Sequence, residues 1–545
     1  AGTFIDTLVG AASNGCDSIV TTIVQTQSCG CFFDDISKTF WIRADTLLQN
    51  GATPVTSGTA TQWGNIVNNP LVPNLNGLAG GGTRTIIQNE PSFNFNSTMD
   101  FTNAGFNRGG LPNNAILDPN EGSMFVVSTQ AGLSFSFVVG TASTGVCGGN
   151  RCSSGFRGNR SEFGGANALF NAGASTNAGV ANVLGMRGNA NAPTQDNTIN
   201  GIQGSSTNAT SIPPSTGTVN YTVGVGVWPG FVMTGRVAEA ISFNRELTQN
   251  EYEIVESYLA VKYGVSLNHS YYASNYTGAS GNIPFVYGLG YDNNIGGIGR
   301  DDCFDLEQII SHSVAPSAIV TIALTDNGGS FIAPNGFDNN LEFLTWGHNG
   351  GPADFSCSTN TPTGFNQLYN REWLSQQTGV VGNTSVAFNI ANAGLTGPAT
   401  DYALVVDTDG DGMYDDETPI VGTVVGNELV FDNIDFDNET FTLVANSNVE
   451  VTIFDQFCND STYTLPSGQV VNTPGTYIDT LTSASSCDSI VTTILSITIC
   501  TCDFDLGPDT SLCQGESLLL NAGSGYDNYL WQDNSNAQTY LVNAT

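Results

Sequence analysis

Apolar and polar residues alternate with a period of two through much of the chain. Val219, Tyr221, Val223, Val225 and Val227 place every second side chain on one face, and Phe135 and Phe137 do the same around Ser136. Val320, Ile322 and Leu324 repeat the pattern, as do Phe441 and Leu443. A period of two belongs to a β-strand with one buried face. Its recurrence over many short segments, separated by turn-forming residues, predicts an all-β chain built as a string of β-sandwiches. Asn- and Gly-rich stretches, such as 143–200, read as loops between strands.

One segment departs from this period. Thr248-Gln249-Asn250-Glu251 has the form of a capping box, and Leu247 and Tyr252 are spaced as a hydrophobic staple. Gly264 stands where a helix would stop. The spacing predicts a helix over 249–263 with Tyr252, Val255, Tyr258 and Leu259 on its apolar side, packed across an end of a sandwich.

Residues 475–493, GTYIDTLTSASSCDSIVTT, recur in altered form at 2–22 as GTFIDTLVGAASNGCDSIVTT. In the first copy Phe4, Ile5 and Leu8, then Ile19, Val20 and Ile23, predict two strands around an Asn14-Gly15 turn. A chain that begins inside a repeat is expected to be part of something longer, with a serial, architectural role. At 545 residues it exceeds one core and divides into modules. The expected boundaries are a partial small repeat at 1–35, a jelly roll at 36–268, a second β-sandwich at 269–447, a complete repeat at 448–503 and the start of an Ig-like module at 504–545.

Composition narrows the partners. There are 49 acidic and 13 Lys or Arg residues, a net charge of −36, in a chain only 11% charged. Such a surface repels nucleic acid and anionic lipid and favours cations. No apolar run is long enough for membrane insertion. Twelve cysteines accompany three histidines, too few for zinc sites, so disulfides in an extracellular, oxidising setting are expected. Cys147 and Cys152 could pin one loop, Cys303 and Cys357 are the only cysteines of the second sandwich and are expected to pair, and Cys458 with Cys487 would staple the small repeat. Cys29, Cys31, Cys500 and Cys502 form Cys-x-Cys pairs that close locally or reach neighbouring modules.

The sharpest local motif is the acidic run at 407–417, DTDGDGMYDDE, after the apolar strand at 402–406. Asp407, Asp409 and Asp411 can converge on one hard cation. Gly412 permits the turn, Met413 offers its carbonyl, and Asp415 or Asp416 completes the shell. Position twelve is Thr418 where an EF-hand has Glu, and a strand replaces the flanking helix. Both features favour a static calcium loop over a switching one. A solvated acidic turn is the alternative, opposed by the mutual repulsion of clustered acids.

Three groups of residues resemble parts of very large Bacteroidota surface proteins exported by the type IX secretion system. Residues 39–45 (TFWIRAD), 235–245 (GRVAEAISFNR) and 258–264 (YLAVKYG) resemble their laminin-G-like, concanavalin-A-type jelly roll. Residues 297–302 (GIGRDD), 345–349 (TWGHN) and 371–373 (REW) resemble the β-domain that follows it, and the CDSIVTT repeats are similar to spacer repeats of the same adhesins. The resemblance implies gliding adhesins or hook-like extracellular filaments, acting through copies of itself.

Jelly rolls of that kind also bind sugars, and Trp63, Trp228 and the Asn-rich loops are candidates for surface glycans, although each tryptophan is equally a core residue. The chain carries no His-Glu-x-x-His, Gly-x-Ser-x-Gly or phosphate-loop motif, and no catalytic residue is assigned. His348 reads as structural. The expectation is a structural and adhesive segment. A lectin-like module is the main rival, and an accessory region of a secreted hydrolase stands behind it.

Overall fold

The computed structural model describes residues 2–545 except 9–17, 25–37, 50–52, 55–57, 68–73, 78–82, 112–119, 130–136, 144–152, 158–159, 164–165, 170–178, 193, 205–218, 225–232, 447–448, 460, 482–488 and 500–503. Val225, Val227, Phe135, Trp228, the Asn14-Gly15 turn, Cys147, Cys152 and Cys487 lie outside the described residues. The chain is all-β, with one α-helix among the described residues, and it forms two compact units, Ala1–Asn446 and Ser447–Thr545.

The first unit contains two sandwiches. In the jelly roll the long strand Met233–Phe243 pairs on one side with Glu121–Ser128 and on the other with Asn96–Ala104 and Lys38–Arg43, all antiparallel. The facing sheet includes Val219–Val223, Phe106–Leu111, Asn74–Gly77 and Gln62–Gly64. Phe40, Trp63, Phe101, Met124, Val126, Leu184 and Tyr221 fill the space between the sheets. The strand Glu121–Ser128 is buried on both faces, because Phe125 and Val127 turn the other way, against the helix.

That helix, α1 (Gln249–Tyr263), has both predicted ends. Thr248 Oγ1 accepts from the Glu251 N–H at 3.4 Å, and Glu251 Oε2 accepts from the Thr248 N–H at 2.8 Å. Gly264 caps the C-terminus at φ +65°, and a Cβ there would meet His312 O at 2.2 Å. Only glycine suits that position. The burial differs from a one-sided helix: every residue from Ile254 to Tyr263 is buried, including Glu256, Ser257 and Lys262. The reason is that both sandwiches pack on it. Phe125 and Phe243 come from the jelly roll, and Phe304, Leu306 and Phe343 from the second sandwich.

The second sandwich faces a large sheet against a five-stranded one. In the large sheet Asn293–Asp301, Phe343–His348 and Trp373–Thr378 lie side by side, and Thr440–Ala445 follows, carrying Tyr402–Val406 on its far side. The smaller sheet holds Ile310–His312, Val320–Leu324, Thr384–Asn389, Glu428–Ile434 and Thr423–Val425 in that order. Val320, Ile322 and Leu324 point into the core as their alternation predicts, with Phe441 and Leu443 opposite. Trp373 is the centre of this core, stacked on Tyr369 and Phe441.

The expected Cys303–Cys357 bridge is not formed. Cys303 lies beyond the Asp301 end of its strand, and Cys357 pairs with Gln367 beyond the Asn293 end of the same sheet. Eight residues of strand alone separate those levels by ~26 Å, against the ~7 Å that a disulfide can span between Cα atoms. Both cysteines are disulfide-bonded, and this separation means that each is bonded elsewhere. Cys458 is also bonded, while Cys513 is a free, exposed thiol.

In the second unit, Val449–Cys458 runs parallel to Ser489–Thr498, and Gly475–Leu481 runs antiparallel on its other side. The amino-terminal copy has the same hairpin, Gly2–Leu8 with Ser18–Val24, in equivalent register. One face of the intact sheet covers Phe457, Leu465, Val471 and Leu495. The other presents Phe454 opposite Ile494, and Ile478 opposite Thr492, to solvent. A further hairpin, Ser517–Asn521 with Thr539–Asn543, follows.

Candidate functional site

The acidic run leaves the second sandwich at the end of Tyr402–Val406, a fully buried strand. Asp407 is itself buried, at 5% exposure, and its two oxygens accept from Gly410 N–H at 2.8 Å and Gly412 N–H at 3.0 Å. Asp409 accepts from Asp411 N–H at 3.2 Å, and Asp411 from Met413 N–H at 2.7 Å. Successive aspartates thus wind the backbone into a tight coil, with Gly410 and Gly412 left-handed at φ +74° and +80°.

Carboxylate oxygens of Asp407, Asp409 and Glu417 lie within 4.8 Å of one another, as do those of Asp409, Asp411 and Asp416. Asp409 is common to both groups, but Asp407 falls in the first and Asp411 and Asp416 in the second, so the expected ligands divide between two groups and do not converge as one. Asp415 belongs to neither group, and the Met413 side chain is exposed. Glu417 is the residue that sequence reasoning missed. It stands one place before Thr418, and its Oε1 accepts from Thr408 N–H at 2.6 Å, closing the coil. Looking for the closing Glu at position twelve concealed one at position eleven.

The coil is anchored to the sandwich. Tyr414 is buried against Ala403, Val405 and Val444, and its hydroxyl donates to Glu372 Oε2 at 2.9 Å. Its N–H donates to Asn360 Oδ1, and Glu372 also accepts from the Tyr291 hydroxyl. The Asp411 N–H draws the Asp409 carboxyl pKa down. Lost hydration and the charges of Asp411, Asp416 and Asp407 push it up by more, so it stands above the usual value. An all-oxygen donor set strained by its own charge fits a hard divalent cation.

A single buried carboxylate lies between the jelly roll and α1. Glu239 is fully buried and accepts from Trp41 Nε1 at 2.6 Å and from Tyr258 Oη, Lys262 Nζ and Tyr263 Oη, each at 2.8 Å. A register slip between Val127–Glu239 and Ser128–Val237 inserts one residue. Glu239 is thereby turned to the helix side with Ile241, while Val237 stays between the sheets. Burial raises the Glu239 pKa, but Lys262 and Arg43 with these hydrogen bonds bring it below the usual value.

Asn94 completes the junction. Left-handed at φ +53°, it donates to Val261 O, Lys262 O and Ser311 Oγ, and its Oδ1 accepts from His312 N–H at 2.8 Å. Arg43 pairs with Asp305 at 2.9 Å. Jelly roll, helix and second sandwich are thus tied through buried polar groups.

The histidines have structural places. His269 meets Glu256 at 3.1 Å and Ser270 O at 2.7 Å, and His312 meets Ser313 O at 2.7 Å. Burial, with the Arg371 charge adding, pushes His348 down to about 4, so it is neutral, and its Nδ1 accepts from Gly350 N–H. Trp63 is no glycan platform: it is fully buried among Phe101 and Phe106, and its indole N–H donates to Arg43 O at 2.7 Å. No helix among the described residues is long and apolar enough to cross a membrane.

Residues 251–440, which take in most of α1, the second sandwich up to the start of its strand Thr440–Ala445, and the acidic coil, match a family described as a domain of unknown function, DUF8202. No curated protein matches the sequence. Among solved structures, domain 4 of the extracellular arabinanase AbnA from Geobacillus stearothermophilus, in complex with arabinotriose, is similar at 13% identity. That match covers 40% of this chain and 97% of that one, with a TM-score of 0.26. A Trypanosoma rangeli sialidase matches at 11% identity over 46% of this chain and 34% of its own, with a TM-score of 0.27. The ligand binding domain of botulinum neurotoxin serotype D, in complex with N-acetylneuraminic acid, matches at 10% identity over 76% of this chain and 98% of its own, with a TM-score of 0.31.

Proposed function

We propose that this chain is a structural and adhesive segment of a large secreted surface protein, one that assembles with copies of itself into an extracellular filament or appendage. The observation that carries this reading is the junction at α1. A helix buried on all sides, with Glu239 receiving four donors, makes two sandwiches into one stiff body without leaving a reactive group free. Buried polar networks of this kind, once fully satisfied, rigidify and specify a single arrangement.

Self-association finds support in the small repeat. Its solvent face carries Phe454, 76% exposed, and Ile478, 70% exposed, among Thr452, Thr476, Thr480 and Thr492. On a chain of net charge −36, the uncharged patch around Phe454 and Ile478 is where a second copy meets least repulsion. Repetition along a chain would then add weak contacts into a strong one.

The acidic coil, in this reading, holds calcium and stiffens the second sandwich. Negative-stain microscopy and sedimentation of the calcium-loaded chain test the proposal: ordered linear assemblies are expected, and their loss with Phe454→Glu. A chain that stays monomeric at high concentration would remove the filament reading.

A further inference from the structure

All the residues from Ile420 to Val425 except Gly422 are β-branched, and residues 418–427 (TPIVGTVVGN) carry no charge. This segment crosses from one sheet of the second sandwich to the other. Ile420–Val421 pairs with Tyr402–Val406 in the large sheet, and Thr423–Val425 pairs with Glu428–Ile434 at the edge of the five-stranded sheet. Gly422 is the crossing point, where a Cβ would meet the Phe431 ring at 2.7 Å. Thr423–Val425 is exposed throughout, with Val424 at 55%, and Val421 beside it stands at 71%.

The two edges of the five-stranded sheet differ. At Ile310–His312 the edge is covered, since the His312 N–H donates to Asn94 Oδ1 at 2.8 Å. Along Thr423–Val425 the outer side pairs with no strand among the described residues. A bare edge offers unpaired N–H and C=O groups to another chain, and natural sheets blunt it with Lys, Pro or a bulge. Here Pro419 stands ahead of the strand, no Lys stands in it, and its pairing with Glu428–Ile434 shows no register shift. Gly426, at φ +64°, and Asn427 form the two-residue turn to Glu428. The pair that closes such a turn, Val425 with Glu428, exchanges its hydrogen bonds, so alternation along the ladder leaves the Val424 N–H and C=O on the free side.

We propose that Thr423–Val425 pairs antiparallel with the same strand of a second copy, about a two-fold axis at Val424, so that two five-stranded sheets become one continuous sheet. Main-chain groups and β-branched side chains are what this edge presents, and another extended strand is what they fit. The segment has no charge with which to select a foreign partner, whereas a strand is complementary to itself when turned about a two-fold axis. It is also a place on a chain of net charge −36 where two copies can approach without bringing acids face to face. The inference rests on the self-association reading and adds what that reading lacks. A two-fold contact at the Phe454 patch closes as a dimer, and an open linear assembly needs a second contact elsewhere on the chain.

The test is sedimentation of the intact chain with Val424→Lys, Phe454→Glu and both together, joined to oxidative cross-linking. Each single substitution should stop assembly at a dimer, and the double one should leave a monomer. Val424 is more than half exposed, so Val424→Lys should leave the melting temperature unchanged, which separates loss of the contact from loss of the fold. For cross-linking, the exposed thiol of Cys513 is first removed by Cys513→Ser. Val424→Cys should then form a disulfide-linked dimer, because Cα atoms of a hydrogen-bonded antiparallel pair stand ~5.5 Å apart. Val421→Cys should not, since three residues on each side of the axis hold its two copies ~20 Å apart. Bridging at Val421 as readily as at Val424, or a Phe454→Glu chain that is already monomeric, overturns the edge contact and leaves the filament reading in place. An unmodified chain that stops at a dimer, dissolved by Val424→Lys, supports the edge contact and removes the filament. A chain that stays monomeric overturns both.

Discussion

Two carboxylate sites in one body meet opposite fates. At Glu239 a lone acid is buried, yet four donors surround it and its pKa falls. In the coil at 407–417 several acids sit at the surface, yet with few donors to divide among them the Asp409 pKa rises. Exposure alone does not decide whether a carboxylate is at ease; the balance of nearby charge and hydrogen bonds does. The junction is complete without a ligand. The coil is not, and that is why it is the place to look for a cation.

Breaking the complete cluster should cost most. Glu239→Ala leaves Lys262 buried and unpaired, and about 3–5 kcal/mol of unfolding free energy should be lost, read from the denaturant midpoint. A shift under about 1 kcal/mol would mean that water replaces the carboxylate and that the junction is softer than its geometry implies.

Filling the incomplete cluster should give the next largest effect. If calcium binds at a free concentration ~100-fold above its dissociation constant, the folded state gains about 2.7 kcal/mol. Melting with calcium and with chelator should differ, and the difference should vanish in Asp409→Asn/Asp411→Asn. Equal melting curves for the unmodified chain would exclude a calcium brace. Because Glu417 closes the coil, Glu417→Gln should weaken the calcium response, whereas Asp415→Asn should leave it intact.

The helix stop and its cap follow in size. Gly264→Ala forces φ +65° on a side chain that would clash with His312 O, and should destabilise by ~1–2 kcal/mol from backbone strain alone. Thr248→Ala should cost ~1 kcal/mol through the lost cap. Thermal melts of the two variants give the order.

The smallest effect is that of pH, and here two histidines oppose each other. Burial works against protonation of His269, but the hydrogen bond and charge of Glu256 raise its pKa above the unfolded ~6.5. Its contribution is therefore complete below that value and is lost as pH rises through the folded pKa. His348, held down to about 4, contributes stability above ~6.5 that is lost as pH falls towards 4. Glu256→Gln should flatten the alkaline side of the stability profile and leave the acid side unchanged.

Much of the fold could be read before any coordinates. Strand periodicity placed Val320–Leu324 and Thr440–Ala445 with the correct faces inward, and local hydrogen-bonding chemistry placed both ends of α1. These signals are local, so a single segment carries them in full. The coil was legible for the same reason, since its Asp residues act on backbone amides two to five residues away.

Tertiary structure decided the rest. Counting cysteines paired Cys303 with Cys357, but strand register put them at opposite ends of a sheet. Tryptophan content suggested a sugar platform, but the facing sheet made Trp63 core. Nothing in the neighbourhood of Glu239 announces four donors, because Trp41, Tyr258, Lys262 and Tyr263 reach it only after a β-bulge turns it and two sandwiches close on the helix. The sequence by itself determined which segments are strand, helix and turn, since those preferences act within a few residues. Which side chains meet was settled by long-range packing, whose energies exist only once the sheets are in register.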